Sequence, residues 1–381
     1  MEEWKKYKMS DFIDFNPTVS LKKGTVARKI TMDKLIPHSR DIYDWEYEPY
    51  SGGSKFQNGD TIMARITPCL ENGKHAFISL LNDGETAYGS TEYIVMRGIP
   101  GISDNRFVYY LSHFPDFKNA AVKSMVGSSG RQRAQVDVLK NLEFYLPGLK
   151  EQRKIADTLS TLDDKIALNN RINHNLEEQA RIQFEAWCAK CVEFKLIREL
   201  SSNILDYTPN NHKKVILLNS SDVTEGRFES LPFVDNQNLK GQFKKRFMKG
   251  DILYSEIRPR NHHFAICYFD ADEYIASTRL MVIRKNEKEI SSDALLYQYL
   301  LMPSVLEEFT SKTESRSGTF PQGNYDDLSS SEVPYSSDNL QIGKALDAIY
   351  GVIWANMEEN KRLASIRDSL LPQLMSGLIT C

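Results

Sequence analysis

Two stretches of the chain repeat apolar or asparagine positions at alternating steps of four and three residues, which is the spacing of one face of a coiled-coil helix. The face of the first stretch comprises Ile155, Leu159, Leu162, Ile166, Asn169, Asn173 and Leu176. The face of the second comprises Ile342, Leu346, Ile349, Ile353, Asn356, Asn360 and Leu363. We expect two long helices whose faces pack on each other. The alternative is that each helix packs only on its own domain.

Both helical faces carry two asparagines at equivalent positions, Asn169 and Asn173 in the first and Asn356 and Asn360 in the second. A buried amide stabilises one pairing of two helices, because a slipped pairing leaves it without a hydrogen-bond partner. The four asparagines are therefore predicted to set the coiled-coil register. About 35 residues of helix correspond to a spacer of roughly 50 Å.

Short β-rich runs alternate with short helical patterns outside these two stretches. The predicted strands are 62–66, 75–81 and 93–97 in the first half and 215–218, 251–257, 264–269 and 280–284 in the second. The segments 107–114 and 294–301 are predicted helices, each leading to a polar loop. This mixture predicts a mixed α/β (α+β) fold.

The two halves also resemble each other in sequence, which indicates an internal repeat. GDTIMARITP (59–68) matches GDILYSEIRP (250–259), and STEYIVMR (90–97) matches STRLMVIR (277–284). We predict two similar globular domains, 1–148 and 192–337, separated by a pair of antiparallel helices, 149–191 and 338–377. A pseudo-two-fold axis would relate the two repeats.

Polar loops at equivalent places in the two halves are the candidate DNA-binding sites. Glycine permits close backbone approach, arginine can bind guanine or phosphate with two donors, and glutamine can bind adenine. The candidates in the first half are Arg65, Lys74, Ser128, Ser129, Arg131, Gln132 and Arg133. Those in the second half are Arg258, Arg260, His262, Arg316, Thr319 and Gln322. A solvated turn is the alternative explanation for each loop.

Composition restricts the remaining possibilities. The 381 residues carry a net charge of −3, so DNA binding would depend on local clusters of cations. The five cysteines do not suggest a disulfide framework, and Cys188-x-x-Cys191 has no second metal-binding pair, so we expect it to pack at a helix end. We expect no signal peptide and no membrane span, and therefore a cytoplasmic location. Phosphate-binding loops, dinucleotide-binding loops and nucleophile elbows are missing, so the chain itself is expected to be non-catalytic.

The sequence resembles the DNA-specificity subunit of type I restriction–modification systems. The resemblance rests on the paired GDTIMARITP and GDILYSEIRP segments, on LPGLKEQRKIADTLSTLDDKI (146–166) and on IRDSLLPQLMSG (366–377). DFIDFNPTVSL (11–21) also looks like the opening segment of that family. The second long helix departs from the pattern, because it begins NLQIGKA where the first has EQRKIA.

The resemblance implies that each globular half recognises one half of a bipartite DNA target and that the helix pair sets the gap. Since the loops of the two halves differ, we expect an asymmetric target. It also implies two DNA methyltransferase subunits and restriction subunits as partners. S-adenosylmethionine, ATP and Mg would be bound by those partners, and no cofactor by this chain. A coiled-coil scaffold for protein interactions without DNA binding is the alternative.

Overall fold

A computed structural model of the chain describes residues 4–128, 130–237, 239, 241–316 and 321–380. The chain divides into two compact units. Unit 1 comprises Met1–Asn170 and Glu358–Cys381, and unit 2 comprises Arg171–Met357. Each unit therefore contains one globular half together with a part of both long helices.

Unit 1 is built from short strands and short helices in a regular alternation. Its strands are β1 (Lys5–Lys8), β2 (Ile13–Phe15), β3 (Val26–Ile30), β4 (Glu46–Pro49), β5 (Ser54–Phe56), β6 (Thr61–Ala64), β7 (His75–Phe77), β8 (Ala87–Gly89), β9 (Tyr93–Gly98) and β10 (Glu143–Leu146). Its short helices are α1 (Asn105–His113), α2 (Pro115–Lys123) and α3 (Val136–Lys140). Asp104 caps the start of α1, because its carboxylate accepts hydrogen bonds from the free backbone N–H groups of Arg106 and Phe107.

The strands of unit 1 form two principal sheets. The first has the order β2-β9-β6-β7 and is antiparallel, and the second has the order β4-β3-β8-β5 with a parallel β3–β8 pair. β1 pairs separately with β10. The apolar face of the first sheet packs with α1 in a buried cluster that includes Phe12, Met63 and Phe107. A second cluster around Phe56 and Ile62 fills the other side of β6.

Unit 2 repeats this alternation. Its strands are β11 (Glu193–Leu196), β12 (Ser201–Asn203), β13 (Lys214–Leu218), β14 (Val223–Thr224), β15 (Arg227–Phe228), β16 (Val234–Asp235), β17 (Phe243–Lys245), β18 (Ile252–Ser255), β19 (Phe264–Ile266), β20 (Tyr274–Ser277), β21 (Leu280–Lys285) and β22 (Glu332–Tyr335). Its short helices are α5 (Ile197–Leu200), α6 (Asp293–Leu300), α7 (Pro303–Glu314) and α8 (Tyr325–Ser329).

The strand order of unit 2 matches that of unit 1. Its sheets run β12-β21-β18-β19 and β16-β13-β20-β17, again with one parallel pair, β13–β20, and β11 pairs with β22. The β14–β15 hairpin has no strand counterpart in the described part of unit 1. The predicted internal repeat is therefore confirmed, and every predicted strand and short helix overlaps an observed one.

The repeated Gly-Asp pair is a turn stabilised by a buried ion pair. Gly59 and Gly250 have φ angles of 90° and 92°, which strongly favour glycine. Asp60 is fully buried and accepts hydrogen bonds from the Nε and Nη2 atoms of Arg97, at 2.6 and 2.8 Å. Asp251 binds Arg284 at the same two distances. The motif therefore joins β6 to β9 in unit 1 and β18 to β21 in unit 2.

The two long helices are α4 (Leu149–Cys188) and α9 (Leu340–Met375). α9 includes Pro372, which lacks a backbone N–H donor, and continues to its end at Met375. Ile155 of α4 lies in one buried cluster with Leu371 of α9 and with Phe107 of α1. The two alternatives for helix packing therefore both occur in unit 1. No helix in the described part of the chain is long and apolar enough to span a membrane.

The asparagines of the helical faces make hydrogen bonds between the helices. In unit 1 the Nδ2 atom of Asn169 donates to the Oδ1 atom of Asn360 at 2.9 Å. In unit 2 the Nδ2 atom of Asn356 donates to the Oδ1 atom of Asn173 at 2.8 Å. Within unit 1 Arg367 of α9 lies 2.7 Å from Asp163 of α4. This contact is six residues before Asn169 on α4 and seven residues after Asn360 on α9. The helices are antiparallel there.

Candidate nucleic-acid interface

The loop 127–133 of unit 1 is held against the segment that follows β6. Arg133 forms antiparallel bridges with both Val126 and Ile66. Gly127 has a φ angle of 139°, and a Cβ atom there would lie 2.9 Å from the carbonyl oxygen of Arg131. Glycine is therefore required for this close turn. This geometry is compatible both with a DNA-binding loop and with a solvated turn.

The predicted residues of this loop differ in how much they are free to bind a ligand. Ser128 and Arg131 are exposed, and the Arg131 side chain makes no hydrogen bond or ion pair to any described residue. The carbonyl oxygen of Gln132 accepts a hydrogen bond from the backbone N–H of Thr67 at 3.0 Å. Ser129 lies outside the described residues.

Arg133 is not free, because it forms a two-pronged ion pair with Glu92. Its Nε and Nη2 atoms lie 2.9 and 2.7 Å from the Oε1 atom of that carboxylate. The Arg133 side chain is 43% exposed and that of Glu92 is 23% exposed. The guanidinium is therefore oriented by the carboxylate while both groups stay accessible from solvent.

Arg65 and Lys74, the other candidate cations of unit 1, are partly buried. The Nη2 atom of Arg65 donates to the carbonyl oxygen of Ala134 at 3.2 Å, while its buried Nε atom has no partner among the described residues. The Nζ atom of Lys74 donates to the carbonyl oxygen of Met32 at 2.8 Å. Both side chains thus tie segments of unit 1 together, and they are less accessible than Arg131.

In unit 2 the residue that corresponds to Arg133 is held in the same way. Gln322 forms an antiparallel bridge with Ile257, which follows β18 as Ile66 follows β6. The Nη1 atom of Arg316 donates to the carbonyl oxygen of Gln322, and its Nη2 atom pairs with Asp327, both at 2.7 Å. Thr319 lies outside the described residues.

The remaining predicted cations of unit 2 lie in the turn between β18 and β19. Arg258 and His262 have φ angles of 50° and 52°. Arg260 pairs with Glu314 through two hydrogen bonds of 2.7 and 2.9 Å, although its side chain is 73% exposed. Since an exposed ion pair contributes little to stability, Arg260 can exchange its carboxylate for a phosphate at low cost.

Sequence reasoning missed three residues that contact the predicted ones. Glu92 binds Arg133, whereas in unit 2 both Arg279 and Glu256 hydrogen-bond the side-chain amide of Gln322. The signal was present in the repeat, because the alignment of STEYIVMR with STRLMVIR places Glu92 opposite Arg279. The alignment of the two Gly-Asp segments similarly places Arg65 opposite Glu256.

The described residues contain no cluster of histidine, cysteine and carboxylate side chains that would hold a metal ion. Cys188 is the last residue of α4, and burial raises the pKa of its thiol to about 12. A thiol with such a pKa is a poor nucleophile and a poor metal ligand at neutral pH. The helix-end packing role expected for Cys188 agrees with its contact to the main core of unit 2.

Comparison with solved structures supports the fold. The chain is similar to a type I restriction–modification S subunit from M. genitalium, with 15% sequence identity and a TM-score of 0.55, over 98% of this chain and 96% of that one. Similarity at this level of identity extends to the fold alone. The mixed α/β architecture predicted from the sequence is thereby confirmed.

Comparison with known sequences finds proteins that are similar to part of this chain. The specificity subunit of type I restriction enzyme HindI from Haemophilus influenzae is 36% identical over 163 residues, which are 42% of this chain and 35% of that protein. The EcoAI specificity subunit from Escherichia coli is 33% identical over 118 residues, 31% of this chain and 20% of that protein. The matches thus span about a third or less of these relatives. The family model described as type I restriction modification DNA specificity domain matches residues 1–178. Residues 1–178 are therefore similar to the type I restriction modification DNA specificity domain, in agreement with the resemblance of the sequence.

Proposed function

We propose that this chain is the sequence-specific DNA-binding specificity subunit of a type I restriction–modification complex. It recognises a bipartite, asymmetric DNA target, with one half-site bound by each unit. The main support for this proposal is that the two units have the same strand order but differ in the side chains of their equivalent loops. A common frame with different polar groups is what recognition of two different half-sites requires.

The polar groups of the two loops suit DNA. Arg131 is exposed and has no described partner, so its five donors are available for a guanine edge or for phosphate. Arg260 and Arg316 are exposed but paired with carboxylates, which phosphate oxygens can replace. In this proposal the net charge of −3 limits non-specific binding, so that affinity depends on these local groups.

In this proposal the chain is non-catalytic and lies in the cytoplasm, where its partner subunits carry out the reactions. Two DNA methyltransferase subunits dock around it and methylate adenine with S-adenosylmethionine that they bind themselves. Restriction subunits supply the ATP- and Mg-dependent translocation and cleavage. In this proposal the chain itself binds no cofactor.

The proposal is tested by mapping adenine methylation across the genome of cells that express the cognate methyltransferase with or without this chain. A bipartite motif that is methylated only when the chain is present is the expected result. Unchanged methylation without the chain would contradict the proposal. In that case a gel shift that detects no binding to any duplex, with the methyltransferase present, would favour the scaffold alternative.

A variant pair tests the role of the first loop. Arg131→Ala is expected to weaken binding of the target duplex by about 5- to 150-fold, the usual effect of a lost arginine contact to DNA. Lys123→Ala is the matched control, because Lys123 is an exposed cation at the end of the preceding helix, α2. Equal binding by the two variants would refute the assignment of Arg131.

A further inference from the structure

Each unit contains three side chains on a backbone frame that the two units share. We name these three side chains the strand-end cluster. In unit 1 it consists of Arg65, Glu92 and Arg133, and in unit 2 of Glu256, Arg279 and Gln322. The backbone N–H of Arg65 donates to the carbonyl oxygen of Glu92 at 2.9 Å, and that of Glu256 donates to Arg279 at 3.0 Å. The first two members of each cluster are therefore fixed by an equivalent hydrogen bond.

The third member is fixed by equivalent contacts as well. The backbone N–H of Ala134 donates to the carbonyl oxygen of Arg65 at 2.8 Å, and the N–H of Gly323 donates to that of Glu256 at 2.8 Å. These bonds place Arg133 and Gln322, the residues before Ala134 and Gly323, at the same point of the frame. The two strand-end clusters thus have the same backbone geometry.

The charges at the first two positions of this frame are reversed between the units. Position 65 is a cation where position 256 is an anion, and Glu92 is an anion where Arg279 is a cation. In unit 2 a second cation, Lys245, lies 3.6 Å from Glu256 and donates to the carbonyl oxygen of Leu280 at 2.7 Å.

Lys245 has a neutral counterpart in unit 1. The hydroxyl of Ser54 donates to the carbonyl oxygen of Tyr93 at 3.2 Å, and Tyr93 follows Glu92 as Leu280 follows Arg279. With Lys245 included, each unit combines two cations with one carboxylate, but at different positions of the frame. The charge balance and the backbone hydrogen bonds of the cluster are therefore the same in both units, whereas the positions of the cations and of the carboxylate differ.

We propose that the strand-end clusters are the specificity determinants of the two half-sites, so that unit 1 reads a G·C pair and unit 2 an A·T pair. This inference rests on the proposed function. In the major groove guanine offers two acceptors and its cytosine one amino donor, which match the fork of Arg133 and the carboxylate of Glu92. Adenine offers an acceptor and an amino donor, which match the amide of Gln322, and thymine O4 accepts from Arg279.

The contacts within each cluster orient these groups before DNA binds. The Glu92 carboxylate holds two nitrogens of Arg133, and Gln322 is held between Arg279 and Glu256. A side chain held in one orientation loses less conformational entropy when it binds a base pair. Carboxylate oxygens have further lone pairs, so Glu92 can bind Arg133 and a cytosine amino group together.

The first experiment maps the methylated motif for Arg133→Gln with the cognate methyltransferase. The variant is expected to relax or change one G·C position in the half-site of unit 1, while the other half-site and the gap stay the same. Arg106→Gln is the matched control, because Arg106 is 40% exposed and also ion-paired, to Asp157 at 2.7 Å. A wild-type chain that directs no motif would refute the proposed function, whereas an intact wild-type motif that Arg133→Gln leaves unchanged would refute only this inference.

The second experiment separates base recognition from a structural role. Arg133→Lys keeps the charge but loses the fork, so we expect it to keep its affinity for DNA and to lose about 5- to 150-fold of discrimination between G·C and A·T duplexes. Fluorescence anisotropy of the complex with duplexes that differ at one base pair measures this ratio. Full discrimination by Arg133→Lys would overturn the assignment.

A third experiment tests whether the side chains of one cluster function on the backbone frame of the other. The variant S54K/R65E/E92R/R133Q gives unit 1 the side chains that unit 2 carries at the four equivalent positions. It is expected to convert the G·C position of the unit 1 half-site to A·T. A folded variant, verified by circular dichroism, that still directs methylation to the original G·C position would contradict the proposal.

Discussion

The buried ion pair of the Gly-Asp turn gives a quantitative test of what stabilises unit 1. Asp60 is fully buried and accepts three hydrogen bonds, two from Arg97 and one from the backbone N–H of Gln57 at 2.7 Å. Asp60→Asn removes the charge with almost no change of volume. At least one amide hydrogen of the new side chain then points at an N–H donor, and the Arg97 guanidinium loses its counter-ion.

The expected loss of stability follows from the burial of the two groups. Removing one partner from a buried ion pair costs about 3–5 kcal/mol. The Arg97 side chain is 28% exposed and can regain some hydration, so we expect the lower end, about 3 kcal/mol. This corresponds to a more than 100-fold increase in the opening equilibrium of unit 1, at about 1.4 kcal/mol for each factor of ten.

Native-state hydrogen exchange of the full chain, read by mass spectrometry, measures this increase in each unit separately. Protection is expected to fall in peptides that cover β6 and β9, whereas the equivalent strands β18 and β21 of unit 2 serve as internal controls. Glu143→Gln is the matched variant, because Glu143 pairs with Lys6 at 2.6 Å with both side chains about half exposed. We expect less than about 1 kcal/mol for that change. An equal effect of the two variants would refute the reasoning.

Three further experiments test the helix pair, the buried histidines and the thiol at the end of α4. Asn360→Ala removes the acceptor of the Asn169 amide and is expected to lower the free energy of unfolding by about 1–2 kcal/mol in urea titrations; an unchanged value would contradict a role in register. Burial lowers the pKa of His75 to about 3 and that of His113 well below 6.5, so the unfolded chain binds more protons than the folded one below about pH 6.5. Stability should therefore fall as the pH drops from 7 to 5.5, by up to about 1.4 kcal/mol per histidine and pH unit, and His113→Asn should flatten this slope. Because the pKa of Cys188 is about 12, iodoacetamide at pH 8 should alkylate it at least ~100-fold more slowly than glutathione, and peptide mapping that finds equal rates would contradict its burial.

Local features of the sequence determined the secondary structure and the repeat. The steps of four and three predicted α4 and α9, and the alternating apolar runs predicted the strands, because side-chain periodicity follows directly from helix and strand geometry. The Gly-Asp pairs could be identified as turns for a similar reason, since few residues other than glycine adopt a positive φ angle. These properties depend only on neighbours in the chain.

Only the tertiary structure decided which polar residues act together. Arg133 and Glu92 are 41 residues apart in sequence, and Arg260 and Glu314 are 54 residues apart, yet three hydrogen bonds join the first pair and two join the second. The cations could be recognised as candidates from the sequence, but which carboxylate each cation pairs with could not. Ion pairs and hydrogen bonds form between groups that lie within about 3 Å in space. That distance is set by how β6, β9 and the following loops are brought together, and not by the spacing of residues along the chain.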